Sequence, residues 1–181
     1  VRHLAAGADP AAKATFARLM REAVEVPGPA CDRLGETAKR HGVWLAVGAN
    51  ERLGGTLHNT LLLHGPDGVL RRHHRKLMPT NHERLVWGMG DGSSLHTVDA
   101  GFGNVGGLIC WEMNMPLARF ALYQDGLEIL LAPTADDSDA WHDSMRHIAR
   151  EARAYVLTSV VFQRASSHPD GVPLAGGDDL M

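Results

Sequence analysis

The residue whose type and setting point most directly to chemistry is Cys110, in the segment GGLICWE at residues 106–112. An apolar run leads up to the thiol, and Pro116, a residue type favoured at the first position of a helix, follows shortly after it. The pattern predicts a cysteine at the end of a strand and just before a helix, where helix N–H groups favour a nucleophilic thiolate. The alternative is a small core residue, the usual role of a lone cysteine in an apolar strand.

Two further motifs precede this cysteine: HRKLMPT at residues 74–80 and ERLVWGMGDGS at residues 83–93. Downstream come MPLAR at residues 115–119 and APT at residues 132–134. In order and spacing these motifs closely resemble those of the carbon–nitrogen hydrolases of the nitrilase superfamily, and of its nitrilase branch in particular. The resemblance extends over nearly the whole chain.

The resemblance implies a Glu–Lys–Cys triad that works without a metal or an organic cofactor. By motif, Cys110 is the expected nucleophile and Lys76 the triad lysine. Glu83 resembles an additional glutamate in the loop beside the active site. The alternative for Lys76 is an exposed lysine at the end of a strand, which is where most lysines lie.

The implied reaction converts a small nitrile to a carboxylic acid and ammonia, through a thioimidate and then a thioester on the cysteine. An amidase of the same superfamily is an alternative, because it would use the same triad on a carboxamide. A third interpretation is a non-catalytic protein whose fold serves only for assembly or binding.

Several other residues are expected close to the reacting atoms. The backbone N–H of Trp111 is placed to stabilise developing negative charge. Met113 and Asn114, neighbours of the nucleophile, are predicted to line the substrate pocket, and Thr134 is predicted to contact the substrate. Glu112 is either an orienting residue behind the nucleophile or a partner in a buried ion pair.

The first glutamate of the implied triad has no counterpart in a recognisable motif. The family pattern for it is F-P-E-like, and Glu22 and Glu25 lie in a helix-like stretch without that pattern. The chain also begins at Val1. We therefore interpret residues 1–181 as one partial domain that is truncated at both ends, and we expect it to release no ammonia by itself.

The amino-acid composition limits the classes of partner that the protein can bind. The 181 residues are 44% hydrophobic and carry a formal net charge of −3, which argues against a nucleic-acid or anionic-membrane partner. No apolar run reaches the length of a membrane span. Cys31 and Cys110 could form a disulfide, but a reactive thiolate must stay reduced, which favours a cytoplasmic protein. The resemblance implies a homo-oligomer of dimers that stack into spirals.

Strands and helices alternate along the sequence. Helices are predicted from Pro10 to Val24 and over residues 30–41, 116–124 and 139–154; strands are predicted over residues 43–49, 56–64, 105–110, 128–132 and 155–162, with a further strand ending at Arg75. Residues 76–94 contain Pro79, Asn81 and five glycines and serines and are predicted to form a long functional loop. A G-x-G-x-x-G pattern at residues 101–106 lacks the strand-before, helix-after context of a dinucleotide site and is expected to be a hairpin turn.

Periodicity alone predicts an α/β protein with a single doubly wound sheet. The resemblance implies a different arrangement, a four-layer α-β-β-α sandwich that is incomplete at both ends.

Overall fold

The computed structural model describes residues 10–161, which form two β-sheets and four α-helices. The helices are α1 (Pro10–Glu22), α2 (Pro29–His41), α3 (Pro116–Gln124) and α4 (Asp139–Ala152). The strands are β1 (Leu45–Leu53), β2 (Thr56–His64), β3 (Leu70–Arg75), β4 (Val98–Asp99), β5 (Asn104–Gly107), β6 (Ile129–Thr134) and β7 (Tyr155–Val160). Two short 3₁₀ helices, Asn81–Leu85 and Cys110–Asn114, lie in the connections that carry the predicted site.

The first sheet is an antiparallel meander of β1, β2 and β3. A tight turn joins β1 to β2, and Gly54 adopts a φ of 57° there, a conformation that glycine tolerates without strain. The turn pairs Leu53 with Thr56 and therefore sets the register of the hairpin, which places Asn50 opposite Asn59.

The second sheet contains β4, β5, β6 and β7 in that order. Strands β5, β6 and β7 are parallel, and β4 pairs antiparallel with β5. The G-x-G-x-x-G pattern forms the turn between β4 and β5, where Gly101 has a φ of 82°. The expected hairpin is therefore confirmed, and the pattern does not open a helix.

Each sheet is covered by helices on one face and meets the other sheet on the opposite face. Helix α2 packs on β2, where Cys31 Sγ lies 3.4 Å from His64 Nε2. Helices α3 and α4 bury Leu122, Trp141 and Ile148 in one core with Leu130 of β6. The sheets approach so closely that a Cβ added to Gly107 would lie 2.7 Å from a methyl group of Leu61.

The resulting layers are those of an α-β-β-α sandwich, so the prediction from the resemblance is confirmed and the single doubly wound sheet is wrong. The physical reason lies in the connections. Only short turns join β1, β2 and β3, so these strands pair with each other as an antiparallel meander and not with the parallel strands.

Most predicted elements are present, with shifted ends. The strand predicted over residues 105–110 stops at Gly107, because the Ile109 N–H donates to the Glu112 carboxylate (2.5 Å) instead of continuing a strand ladder. Phe162, predicted to end the last strand, lies outside the described residues. Both cysteines are free thiols. Among residues 10–161, no helix is long and apolar enough to cross a membrane.

Candidate active site

Lys76 follows the last residue of β3 and is completely buried. Its N–H donates to Asn59 O at 2.8 Å, and its carbonyl accepts from the Gly90 N–H at 2.8 Å. The ammonium Nζ donates to Thr80 Oγ1 at 2.9 Å and to Glu83 Oε2 at 2.7 Å. A buried lysine requires partners of this kind because an unpaired charge out of water is costly. The alternative of an exposed lysine is therefore excluded.

Glu83 lies in the first turn of the 3₁₀ helix at residues 81–85. The carboxylate oxygen Oε2 that accepts from Lys76 also accepts from the Thr80 N–H at 2.6 Å. This second bond ties Glu83 to the start of its own helix, so the carboxylate is held while it pairs with the ammonium. The side chain of Glu83 keeps 23% of its exposure, which leaves the carboxylate open to the neighbouring cavity.

The loop over residues 76–94 folds back on the end of β3. Gly90 makes the closest approach: a Cβ there would lie 2.2 Å from Arg75 O, so only glycine fits. Farther along, Asp91 accepts from the backbone N–H of Ser93 at 2.9 Å. These contacts give the loop a defined path around Lys76, as expected of a long loop with a functional role.

Cys110 opens the second 3₁₀ helix with a φ of 53°, in the left-handed region. This conformation costs a non-glycine residue of the order of 1–3 kcal/mol and persists only where its surroundings impose it, as at active sites. The partly exposed thiol lies on the wall of a cavity of about 290 Å³. The thiol is therefore accessible to a ligand in the cavity.

The cavity combines polar and apolar walls. Besides Cys110 it is lined by Gly48, Ala49, Asn50, Asn59, Glu83, Trp87, Ile109, Pro133, Thr134, Ala135 and Val161. Cys110 comes from the second sheet and Glu83 from the loop after the first, so the cavity lies where the two sheets meet. Glu83 in turn binds the buried Lys76 ammonium, so the three predicted catalytic residues lie at one site.

The sequence did not point to Asn50, Asn59 or Trp87 as site residues, although all three line the cavity. A signal for the first two was present: the turn at residues 54–55 sets Asn50 opposite Asn59, so the two amide side chains share one face of the hairpin. Trp87 donates from Nε1 to Asn50 Oδ1 at 2.7 Å. That contact joins residues 37 positions apart, and no local pattern reveals it.

Of the other residues predicted to contact the substrate, Thr134 lines the cavity with Cys110. The Trp111 side chain is 53% exposed and is not part of that lining. Met113 is fully buried in the core with α3 and α4, and with Asn114 it borders a different cavity beside Arg119. The structure therefore does not bring the side chains of Met113 and Asn114 to the nucleophile.

No second carboxylate from the described residues lines the Cys110 cavity beside Glu83. Glu25 instead forms an exposed ion pair with Arg52 at 2.8 Å. Within residues 10–161, no group of three or more His, Cys, Asp or Glu side chains is arranged to hold a metal ion.

Comparisons with known proteins agree with the motifs and with the fold. A profile of the carbon–nitrogen hydrolase family matches residues 8–177. The chain is 44% identical to an aliphatic nitrilase of Sinorhizobium fredii over 179 residues, which cover 93% of this chain and 58% of the relative. It is 45% identical to the bifunctional nitrilase/nitrile hydratase NIT4A of Nicotiana tabacum, over 87% of this chain and 45% of the relative.

The fold resembles that of the Nit3 protein of Saccharomyces cerevisiae, a member of branch 10 of the nitrilase superfamily. The TM-score is 0.67 at 21% identity, covering 80% of this chain and 56% of the other. The chain thus spans about half the length of the curated relatives it matches. By its sequence profile and its nitrilase relatives, this chain belongs to the carbon–nitrogen hydrolase family.

Proposed function

We propose that the natural protein carrying this chain hydrolyses a small-molecule nitrile to a carboxylic acid and ammonia, with Cys110 as the nucleophile. One observation carries the proposal: a strained, partly exposed thiol shares a cavity with a carboxylate that binds a buried lysine. The nitrilase names of relatives at 44–45% identity support the substrate class.

The reaction begins when the Cys110 thiolate attacks the nitrile carbon and the nitrile nitrogen takes up a proton, forming a thioimidate. Water adds to this carbon, ammonia leaves, and a thioester remains. A second water then hydrolyses the thioester, so that two waters are consumed and one acid and one ammonia are released. We assign the general-base steps to the first glutamate of the triad that the resemblance implies.

Positive charge and hydrogen-bond donors are needed where negative charge develops. Lys76 supplies the ammonium, and the backbone N–H of Trp111 is the proposed second donor. Glu83 holds the Lys76 ammonium in place through the 2.7 Å bond. Thr134, Asn50 and Asn59 provide polar contacts on the cavity wall, and Trp87 provides apolar surface for the substrate.

A second product deserves measurement because the tobacco relative is named for two activities. If the tetrahedral intermediate expels the thiolate instead of ammonia, an amide is released after only one water has been added. An assay that quantifies acid, amide and ammonia together distinguishes nitrilase from hydratase behaviour. Offering the matched amide as substrate tests the amidase alternative.

We also propose that the protein works as a homo-oligomer in the cytoplasm, with this chain as a single domain. The two free thiols are consistent with a reducing compartment. Light scattering at working concentration tests the assembly, and a monomer would contradict it.

Cys110→Ala in the natural protein, expressed from its own start codon to its own stop codon, tests the nucleophile. We expect kcat/KM to fall at least about 1,000-fold, because the covalent step is lost. Intact-mass analysis should detect a substrate adduct on the parent and none on the variant. Cys31→Ala is the matched control, since Cys31 is buried against His64 and does not line the cavity. Activity of the Cys110 variant within about tenfold of the parent contradicts the assignment.

A further inference from the structure

Glu112 lies two residues after the proposed nucleophile and is completely buried, with 1% of its surface exposed. Its carboxylate accepts from two backbone N–H groups. Oε2 accepts from Ile109 at 2.5 Å, and Oε1 accepts from Leu77 at 2.8 Å. A buried carboxylate bound by backbone amides is held much more rigidly than an exposed one.

The two amides belong to the residues next to the proposed catalytic pair. Ile109 directly precedes Cys110, and Leu77 directly follows Lys76. The first segment leaves β5 of the second sheet, and the other leaves β3 of the first sheet. One side chain therefore joins the two sheets at the point where each delivers a catalytic residue.

The other partners of Glu112 come from the first sheet. His74 Nε2 lies 3.0 Å from Glu112 Oε2 and donates to it, because a carboxylate only accepts. The other ring nitrogen of His74, Nδ1, bonds Ser94 Oγ at 2.7 Å. Burial lowers the pKa of the Arg72 guanidinium to about 10, and attraction to Glu112 opposes that effect. With these partners, both carboxylate oxygens of the buried Glu112 accept hydrogen bonds.

We propose that Glu112 is a positioning residue that sets the separation of Cys110 and Lys76 by holding the backbone beside each of them. The inference rests on the proposed function for its catalytic consequence, but the two backbone contacts stand without it. A carboxylate is required because both oxygens must accept. In Glu112→Gln one oxygen becomes an NH₂ donor that faces a backbone N–H, so one of the two contacts is lost.

Amide hydrogen exchange of the natural protein tests the contacts directly. Ile109 and Leu77 lie outside every strand and helix, yet we expect both amides to exchange slowly. The matched control is the Ser93 amide, which also donates to a carboxylate, but to that of Asp91 in an exposed turn. The Ser93 amide should exchange fast. Equally fast exchange at Ile109 and Leu77 overturns the proposal whether or not the protein hydrolyses nitriles.

Kinetics of Glu112→Gln test the consequence. We expect kcat to fall about 100-fold with KM changed less than about threefold, because a misplacement near 1 Å costs that much in rate and Glu112 itself does not line the cavity. The rate of Cys110 alkylation by iodoacetamide at one fixed pH should change as well. Should Glu112→Gln fail to fold, Glu112→Asp, which keeps the charge but cannot reach both amides, takes its place.

Glu51→Gln is the matched control, because Glu51 is equally buried but accepts only from side chains. We expect the folded molecules of Glu51→Gln to keep the parental kcat. If Glu112→Gln retains parental kcat and parental alkylation rate, Glu112 does not position the pair. If the parent itself releases no ammonia from nitriles or amides, the proposed function fails, while exchange and alkylation still decide the role of Glu112.

Discussion

Glu51 and Glu112 are both fully buried glutamates, and they serve different purposes. Glu51 accepts from Thr60, His73 and Arg75, side chains of the two strands that follow its own in the first sheet. Glu112 accepts from two backbone amides that belong to segments of different sheets. The carboxylate of Glu51 therefore links neighbouring strands within one sheet, whereas that of Glu112 links the two sheets.

Their positions explain the difference. Asn50 lines the Cys110 cavity, so the alternation of side chains along β1 directs Glu51 to the opposite face of the sheet. His73 and Arg75 on that face keep 27% and 30% of their side-chain exposure, so water still reaches the partners of Glu51. The partner of Glu112, His74, is fully buried. Similar burial therefore does not imply a similar role, since the role follows from which segments a buried charge connects.

The largest effect is expected from substituting Lys76, which directly precedes the Leu77 amide that donates to Glu112. In Lys76→Arg, the planar guanidinium must replace a compact ammonium that already donates to Thr80 and Glu83 in a fully enclosed space. We expect kcat/KM to fall about 1,000-fold in the natural protein, which steady-state assays of ammonia release will measure. Lys39→Arg, on the exposed side of α2, is the control and should behave as the parent. Near-parental activity of Lys76→Arg would reduce Lys76 to a structural charge.

Glu51→Gln should change stability without changing the site. The substitution leaves Arg75 and His73 without their carboxylate, and because both are partly solvated we expect a loss of about 2–3 kcal/mol in the free energy of unfolding, less than for a fully buried pair. Urea denaturation of variant and parent measures it. A loss of catalytic rate per folded molecule as large as that of Glu112→Gln would erase the distinction between the two glutamates.

The pH dependence of stability is expected to be the smallest effect near neutrality. Burial lowers the pKa values of His58 and His64, and the positive charge of Arg75 adds to this at His58. Unfolded histidines bind protons near pH 6.5, whereas in the fold these two bind protons only at a lower pH, so acidification through that range favours the unfolded state and lowers Tm.

A second loss of stability, at lower pH, is expected from protonation of Glu51. Burial by itself raises the pKa of Glu51, but hydrogen bonds from His73, Arg75 and Thr60 outweigh it and lower the pKa below the usual range. The stabilisation is present above the carboxylate's ordinary value of 4.5 and is lost as the pH falls below it. Melting curves from pH 7 to pH 3 should therefore show this second decline in the parent and not in Glu51→Gln. Identical profiles for the two proteins would contradict it.

Local sequence determined the elements and the identity of the three proposed catalytic residues. The apolar run at residues 43–49 and the turn at residues 54–55 predict the hairpin of β1 and β2, and Pro116 marks the start of α3, as the structure shows. The motifs identified Cys110, Lys76 and Glu83 because each occurs within a short, distinctive run. Such features depend on neighbours within a few positions, so they can be read without knowing the fold.

Tertiary structure alone decided which residues meet. Periodicity cannot show that three strands form a separate sheet, because a strand's pattern reports one buried face and not its pairing partners. The left-handed turn at Cys110 sends Met113 into the core of the second sheet, although it lies only three positions away along the chain. Leu77 and Glu112 meet across 35 positions because two sheets pack face to face, a contact that depends on the fold of the whole described chain.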